Sequence, residues 1–144
     1  MRINTKFPMA IHILTLIAMN HNPDMPSTSQ LIAKSIGTNP VVVRRIISQL
    51  RQAGLLQTRP GVAGAEFLKE PEDITLLDIY KAVQEDEDRG VFDLHQNPSQ
   101  ICPIGRNIHS ALAAPLGSAQ LSLERDLAAH TLKDIIMDIE SNLK

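Results

Sequence analysis

The chain has 144 residues, 43% of them apolar but only 3% aromatic, so it is long enough for one domain with an appended element, and its core must be built from Leu, Ile, Val, Ala and Met. A single cysteine, Cys102, excludes an internal disulfide framework and fits a reducing cytosol, and no uncharged apolar run reaches the roughly 18 residues of a membrane span. The net charge of −2 conceals a split: residues 1–67 carry seven basic and two acidic side chains (+5), whereas residues 68–144 carry seven basic and fourteen acidic ones (−7), which suits a first half that meets a polyanion.

The opening residues are basic, and the apolar stretch behind them carries His12 and no small-residue cleavage site, so a secretory signal is not expected. From Pro8 to Asn20 the pattern is almost wholly apolar and predicts a buried helix. His12 within it reads as a packed or hydrogen-bonded core histidine. Asn22-Pro23-Asp24-Met25-Pro26 is a loop. A second helix begins at Ser27 or Thr28 as N-cap, carries Leu31, Ile32, Ala33 and Ile36, and stops at Gly37. Thr38-Asn39-Pro40 opens a third helix, with proline at the first position, where its missing N–H costs nothing. That helix runs to about Ala53, and Gly54 ends it. Two helices joined at a glycine, the second longer, have the outline of a helix-turn-helix. Leu55 to Arg59 and Ala65 to Lys69 are short strand-like runs around a Pro/Gly loop, a hairpin in the place of a wing.

A fourth helix spans about Thr75 to Gln84. The acidic run Glu85-Asp86-Glu87-Asp88 marks a solvated boundary, and residues 91–101 are irregular. From Ile104 to about His130 the pattern is helical again, but Pro115 removes a helical hydrogen bond and clashes with the preceding turn, which predicts a kink or a break. A last helix covers Thr131 to Leu143. The fold class is thus mainly α with a small β-hairpin wing. Residues 1–84 are read as a winged helix-turn-helix, 85–103 as an acidic, irregular linker and sensor loop, and 104–144 as a helical dimerisation element. The supply of Ile108, Leu112, Leu116, Leu121, Leu123 and Leu127, then Leu132, Ile135, Ile136 and Ile139, downstream of a complete small domain, suggests packing between two copies; the alternative is that it covers the fourth helix of its own chain.

Placed at 100° per residue, residues 40–53 bury Val43, Ile46, Ile47 and Leu50 and present Val41, Arg45, Ser48 and Gln52 on the opposite face, with Arg44 and Gln49 on the flanks. Arg bonds bidentately to guanine and Gln to adenine, Ser donates or accepts, and an exposed apolar group touches the thymine methyl. Val41, Arg45 and Ser48 are the candidates for base readout, and Arg44 for a base or a phosphate. Thr28, Thr38 and Asn39, beside helix N-termini, are candidates for phosphate contacts. In the wing, Arg59 and Gly61 complete the candidate DNA contacts: the arginine suits a minor groove, while Gly61 and Gly64 serve the turn.

The order of local motifs resembles the Rrf2 family of bacterial transcription regulators. The resemblance rests on Ala10-Ile-His-Ile-Leu14, Ile32-Ala33, Val43-Arg44-Arg45-Ile46 with Leu50, and Ala53-Gly54-Leu55. It continues through Arg59-Pro-Gly-Val-Ala-Gly64, Ile74-Thr-Leu-Leu-Asp-Ile79 and Cys102-Pro-Ile-Gly-Arg-Asn-Ile108, and so covers almost the whole chain. It implies a homodimer with a long C-terminal helix on the partner and a roughly palindromic operator. Several members of the family carry an iron–sulfur cluster on three cysteines in the segment that spans about 90–106 here. This chain has only Cys102 there, and one thiolate cannot supply a cluster's ligands, so no cofactor and no cluster are expected. Ala-Glu-Phe at the end of the wing also departs from the glycine pair before an aromatic that is common in the family.

Cys102 is a candidate redox sensor, because Arg106 one turn onward and a helix start favour the thiolate. His95 and His109 flank it at spacings that make a weak metal signal, and no metal site is expected. No nucleophile–base pair, HExxH or P-loop occurs, so the chain does not read as an enzyme. The reading that follows is a cytoplasmic, homodimeric, sequence-specific transcription regulator, a repressor, whose partners are double-stranded DNA and its own second copy. It needs no membrane and leaves room for a small-molecule or redox effector. The alternative is a winged-helix module that binds protein through its exposed third helix.

Overall fold

The computed structural model describes residues 5–20, 26–85 and 90–143. Asp86, Glu87 and Asp88 of the acidic run and the Asn22–Met25 part of the first loop lie outside them. In chain order the elements are α1 (Lys6–Met19), α2 (Ser29–Ile36), α3 (Pro40–Gln52), β1 (Leu56–Gln57), β2 (Glu66–Phe67), α4 (Leu76–Ala82), α5 (Pro103–Ala128) and α6 (Leu132–Asn142), with a single 3-10 turn at Pro71–Asp73 before α4.

Apolar periodicity turns α1, α2 and α3 toward one another. Ile13 and Leu14 of α1, Ile32 of α2, and Val43, Ile46 and Leu50 of α3 are almost or wholly shut off from solvent, each side chain contributing about 1.5–3 kcal/mol relative to exposure. Ile47, placed on the same face by the wheel, is only half-buried. Gly37 ends α2 at φ +87°, where its N–H and that of Thr38 both reach the Ala33 carbonyl (2.9 and 3.0 Å). A side chain there is strained, so the turn of the helix-turn-helix depends on this glycine. The hairpin is antiparallel with Leu56 opposite Phe67 and Gln57 opposite Glu66. Leu55 and Leu56 are buried beneath α3 and fix the wing to the head.

Two findings redraw the C-terminal half. First, α6 closes the core of the head. Leu132 and Ile136 are buried in the same core as α1 to α4, and the starts of α4 and α6 pair through Leu76 N–H to the His130 carbonyl and Leu132 N–H to the Ile74 carbonyl, both 2.9 Å. Thr75 and Thr131 cap the two helices in the same way, each with a reciprocal capping box to the aspartate three residues on. Second, α5 runs through Pro115 unbroken for 26 residues. Pro115 and Ala111 both face solvent, so the carbonyl that loses its N–H partner meets water.

No residue of α5 is buried. One side of it meets α4 and the segment from Gly90 onward, where Val91 N–H donates to Gln120 Oε1 at 2.9 Å. The other side, with Ile104 and Leu121, stands open at 74% and 54% exposure. No helix among the described residues is long and apolar enough to cross a membrane.

Candidate nucleic-acid interface

The exposed side of α3 begins with its cap. Asn39 is the N-cap and its side chain accepts the Val42 N–H at 3.1 Å, with Pro40 at the first helical position. Val41 is 66% exposed. Arg44, Arg45 and Gln52 are exposed and Ser48 half-buried, so Val41, Arg45, Ser48 and Gln52 form one ridge along the helix.

Alongside that ridge a groove of about 300 Å³ lies between the start of α2, α3 and the wing, lined by Thr28, Ser29, Arg44, Ser48, Arg51 and Thr58 among others. Its cations are already oriented. Arg44 Nη1 donates to Ser29 Oγ at 3.4 Å, and Arg51 Nη1 donates to Thr58 Oγ1 at 3.1 Å. Thr28 caps α2 by accepting the Leu31 N–H at 3.3 Å, which leaves the Ser29 and Gln30 N–H groups without a hydrogen bond among the described residues at the positive end of the helix. Two arginines and several hydroxyls around one groove at the start of a helix make a place for a phosphate.

The wing adds less free charge than its sequence suggests. Arg59 is exposed, but its Nη2 lies 3.3 Å from Glu66 Oε2, and Gln57 Nε2 donates to the same carboxylate at 3.1 Å. Pro60 then Gly61 at φ +76°, closed by Val62 N–H to the Arg59 carbonyl at 3.1 Å, has the pattern of a type II turn. Gly61 is therefore held by the turn itself. Thr38 is half-buried, and its N–H is engaged by the Ala33 carbonyl of α2. Ser29, Arg51 and Thr58 were not singled out in the sequence, where Arg51 counted only as charge. Their convergence depends on how the wing folds onto α3, and no local pattern states that.

The comparisons with known proteins supply the family. A family model described as Rrf2, iron-dependent transcriptional regulator, matches residues 3–138. The chain belongs to the Rrf2 family. YwnA of Bacillus subtilis (strain 168), described as an HTH-type transcriptional regulator, is 46% identical over 134 residues, which are 93% of this chain and 96% of that protein. A solved structure described as a DNA-binding protein is 43% identical with a TM-score of 0.73, covering 91% of this chain and 98% of its own. The fold extends to IscR of T. potens, at 21% identity and a TM-score of 0.69 over 100% of this chain and 92% of that one. As an Rrf2 protein, the chain is a DNA-binding transcription regulator and not an enzyme.

The iron in the family's description does not fit the side chains present. Among the described residues, no three His, Cys, Asp or Glu side chains converge on a point that could hold a metal. Cys102 is exposed, and its own N–H donates to Ser99 Oγ at 3.1 Å. His109 Nε2 lies 2.8 Å from the His95 carbonyl, so that N–H donates there, and the two imidazoles meet edge to face with centroids 5.3 Å apart. His12, expected in the core, instead lies on the surface with Nε2 3.1 Å from Ser35 Oγ; it bridges α1 to α2 from outside.

Proposed function

We propose that the chain is a homodimeric repressor that reads a roughly palindromic operator with the Val41–Arg45–Ser48–Gln52 ridge in the major groove. The observation that carries this reading is the pairing of an unengaged ridge with a groove whose arginines are pre-oriented by hydroxyls. In it, Arg44 and Arg51, with the start of α2, hold one backbone phosphate and fix the register. Arg45 reads a base edge, Ser48 and Gln52 add polar contacts, and Val41 packs on a thymine methyl. Asn39 and Thr28 act through the caps that set helix direction, and Arg59 reaches a minor groove when it leaves Glu66.

The open side of α5 supports self-association, because a helix of that length with no buried residue stays soluble and ordered most readily against a second copy. Two heads joined in this way meet half-sites about 34–36 Å apart, one helical turn. Occupancy of such a site blocks the sequence beneath it, which is the simplest output of the dimer. We further propose that regulation proceeds without an iron–sulfur cluster, since one thiol per chain falls short of a cluster's ligand set.

Fluorescence anisotropy with labelled DNA from upstream of the chain's own gene, against a scrambled duplex at two salt concentrations, tests the reading. Preference for the native sequence and a steep fall in affinity with salt are expected, because each phosphate contact releases counterions. Equal, salt-insensitive binding of both duplexes overturns it and favours protein recognition by the exposed third helix.

A further inference from the structure

On the other flank of α3, a second groove of about 610 Å³ separates it from the C-terminal end of α4, with Arg45, Gln49 and Gln52 on one wall and Lys81 and Gln84 on the other. Its chemistry differs from that of the phosphate groove. Arg45 and Lys81 are exposed cations with no ion pair and no hydrogen-bond partner among the described residues. Glu85 also lines the groove, and its carboxylate pairs with Lys6 of α1. The carbonyl oxygen of the Gln49 side chain is buried and accepts no hydrogen bond.

Buried acceptors are almost always paired, and an orphan is costly. The terminal amide torsion of Gln is soft, so a donor offered from the groove can draw this oxygen out and satisfy it. Two uncompensated cations and one orphan acceptor around a space of ligand size therefore ask for an anion that also carries an N–H or O–H.

We propose that this groove is an effector site for a small hydroxy- or amino-carboxylate whose charge faces Arg45 and Lys81 and whose donor pairs with Gln49 Oε1. The site stands on its own geometry. Its consequence rests on the reading of α3 given above: Arg45 cannot serve a base and an effector at once, and a negative charge beside α3 repels the incoming phosphates. The bound carboxylate thus lowers DNA affinity, and DNA lowers affinity for the carboxylate by the same factor.

The full chain is titrated by calorimetry with L-lactate, L-aspartate, citrate and acetate at constant ionic strength, and DNA affinity is read by anisotropy with and without each anion. Saturable heat is expected from at least one of the first three. Lys81→Met should lose about tenfold of that affinity, or 1.4 kcal/mol, while its DNA affinity without anion stays at the wild-type value; Lys133→Met on α6 should change neither. Anion near the wild-type Kd should weaken DNA binding of the wild type clearly more than that of Lys81→Met. Absence of saturable heat from all three overturns the proposal. So does a loss of DNA affinity in Lys81→Met alone, which would make the lysine a phosphate contact. Acetate binding as tightly as lactate removes the role given to Gln49. If the wild type binds no DNA, the regulator reading falls, and the calorimetry still judges the groove.

Discussion

Among single residues, the two arginine roles can be separated by experiment. Arg45 stands on the ridge without a partner among the described residues, whereas Arg51 is held by Thr58 in the groove beside the wing. If Arg45 is bidentate to a base, Arg45→Ala costs about 1–3 kcal/mol on the operator and flattens preference at one base pair. Arg51→Ala instead weakens native and scrambled DNA by the same factor and reduces the salt slope by about one unit. Anisotropy titrations of both variants on both duplexes at several salt concentrations read the difference. Reversed behaviour would exchange the two assignments, and equal loss on both duplexes for Arg45 would make it a phosphate contact. The Arg45 position was legible because 3.6-residue periodicity alone turns it away from Val43, Ile46 and Leu50. The Arg51–Thr58 and Arg44–Ser29 contacts were not, because they join segments 7 and 15 residues apart whose meeting depends on tertiary packing.

Among elements, capping carries much of what the sequence made readable. Thr28, Asn39, Thr75 and Thr131 each sit one residue before a helix and accept an N–H three residues on, a local pattern that needs no knowledge of the fold. Helix starts were therefore found within a residue or two. The route of the chain after α4 was harder. A Pro at position 115 argues for interruption on local grounds, yet its solvent-facing side lets α5 continue, and the helical pattern of α6 does not reveal that Leu132 and Ile136 return to the head's core. The caps yield a paired test. Asn39→Ala and Thr131→Ala should each cost about 1 kcal/mol of stability in urea unfolding, because each leaves a helical N–H without its side-chain acceptor. Only Asn39→Ala should also weaken DNA binding, since it loosens the start of the reading helix while Thr131 serves α6. Loss of DNA affinity in Thr131→Ala would mean that α6 positions the heads rather than just closing the core.

At the scale of the whole molecule, the charge split and the unburied long helix describe one arrangement. The basic half folds into the head that carries the ridge and its groove. The acidic half contributes α6 to the head's core and leaves α5 with an open side that its own chain does not cover. Ile104 and Leu121 on that side already face solvent in the single chain, so a charge placed there disturbs no intrachain packing. In Leu121→Glu the fold and its far-UV circular dichroism should be retained. In a dimer, two such glutamates and their desolvation oppose association, so sedimentation at micromolar concentration should shift from about twice the mass of the chain toward a single copy. DNA binding should fall with it by about 10² or more on a two-half-site operator, since the second head loses its high effective concentration, while binding to an isolated half-site changes little. A variant that still sediments as a dimer, with unchanged operator affinity, would place the contact between copies somewhere other than the open side of α5. The half-buried row Ile108, Leu112 and Leu116 on its other side would then be the next surface to probe.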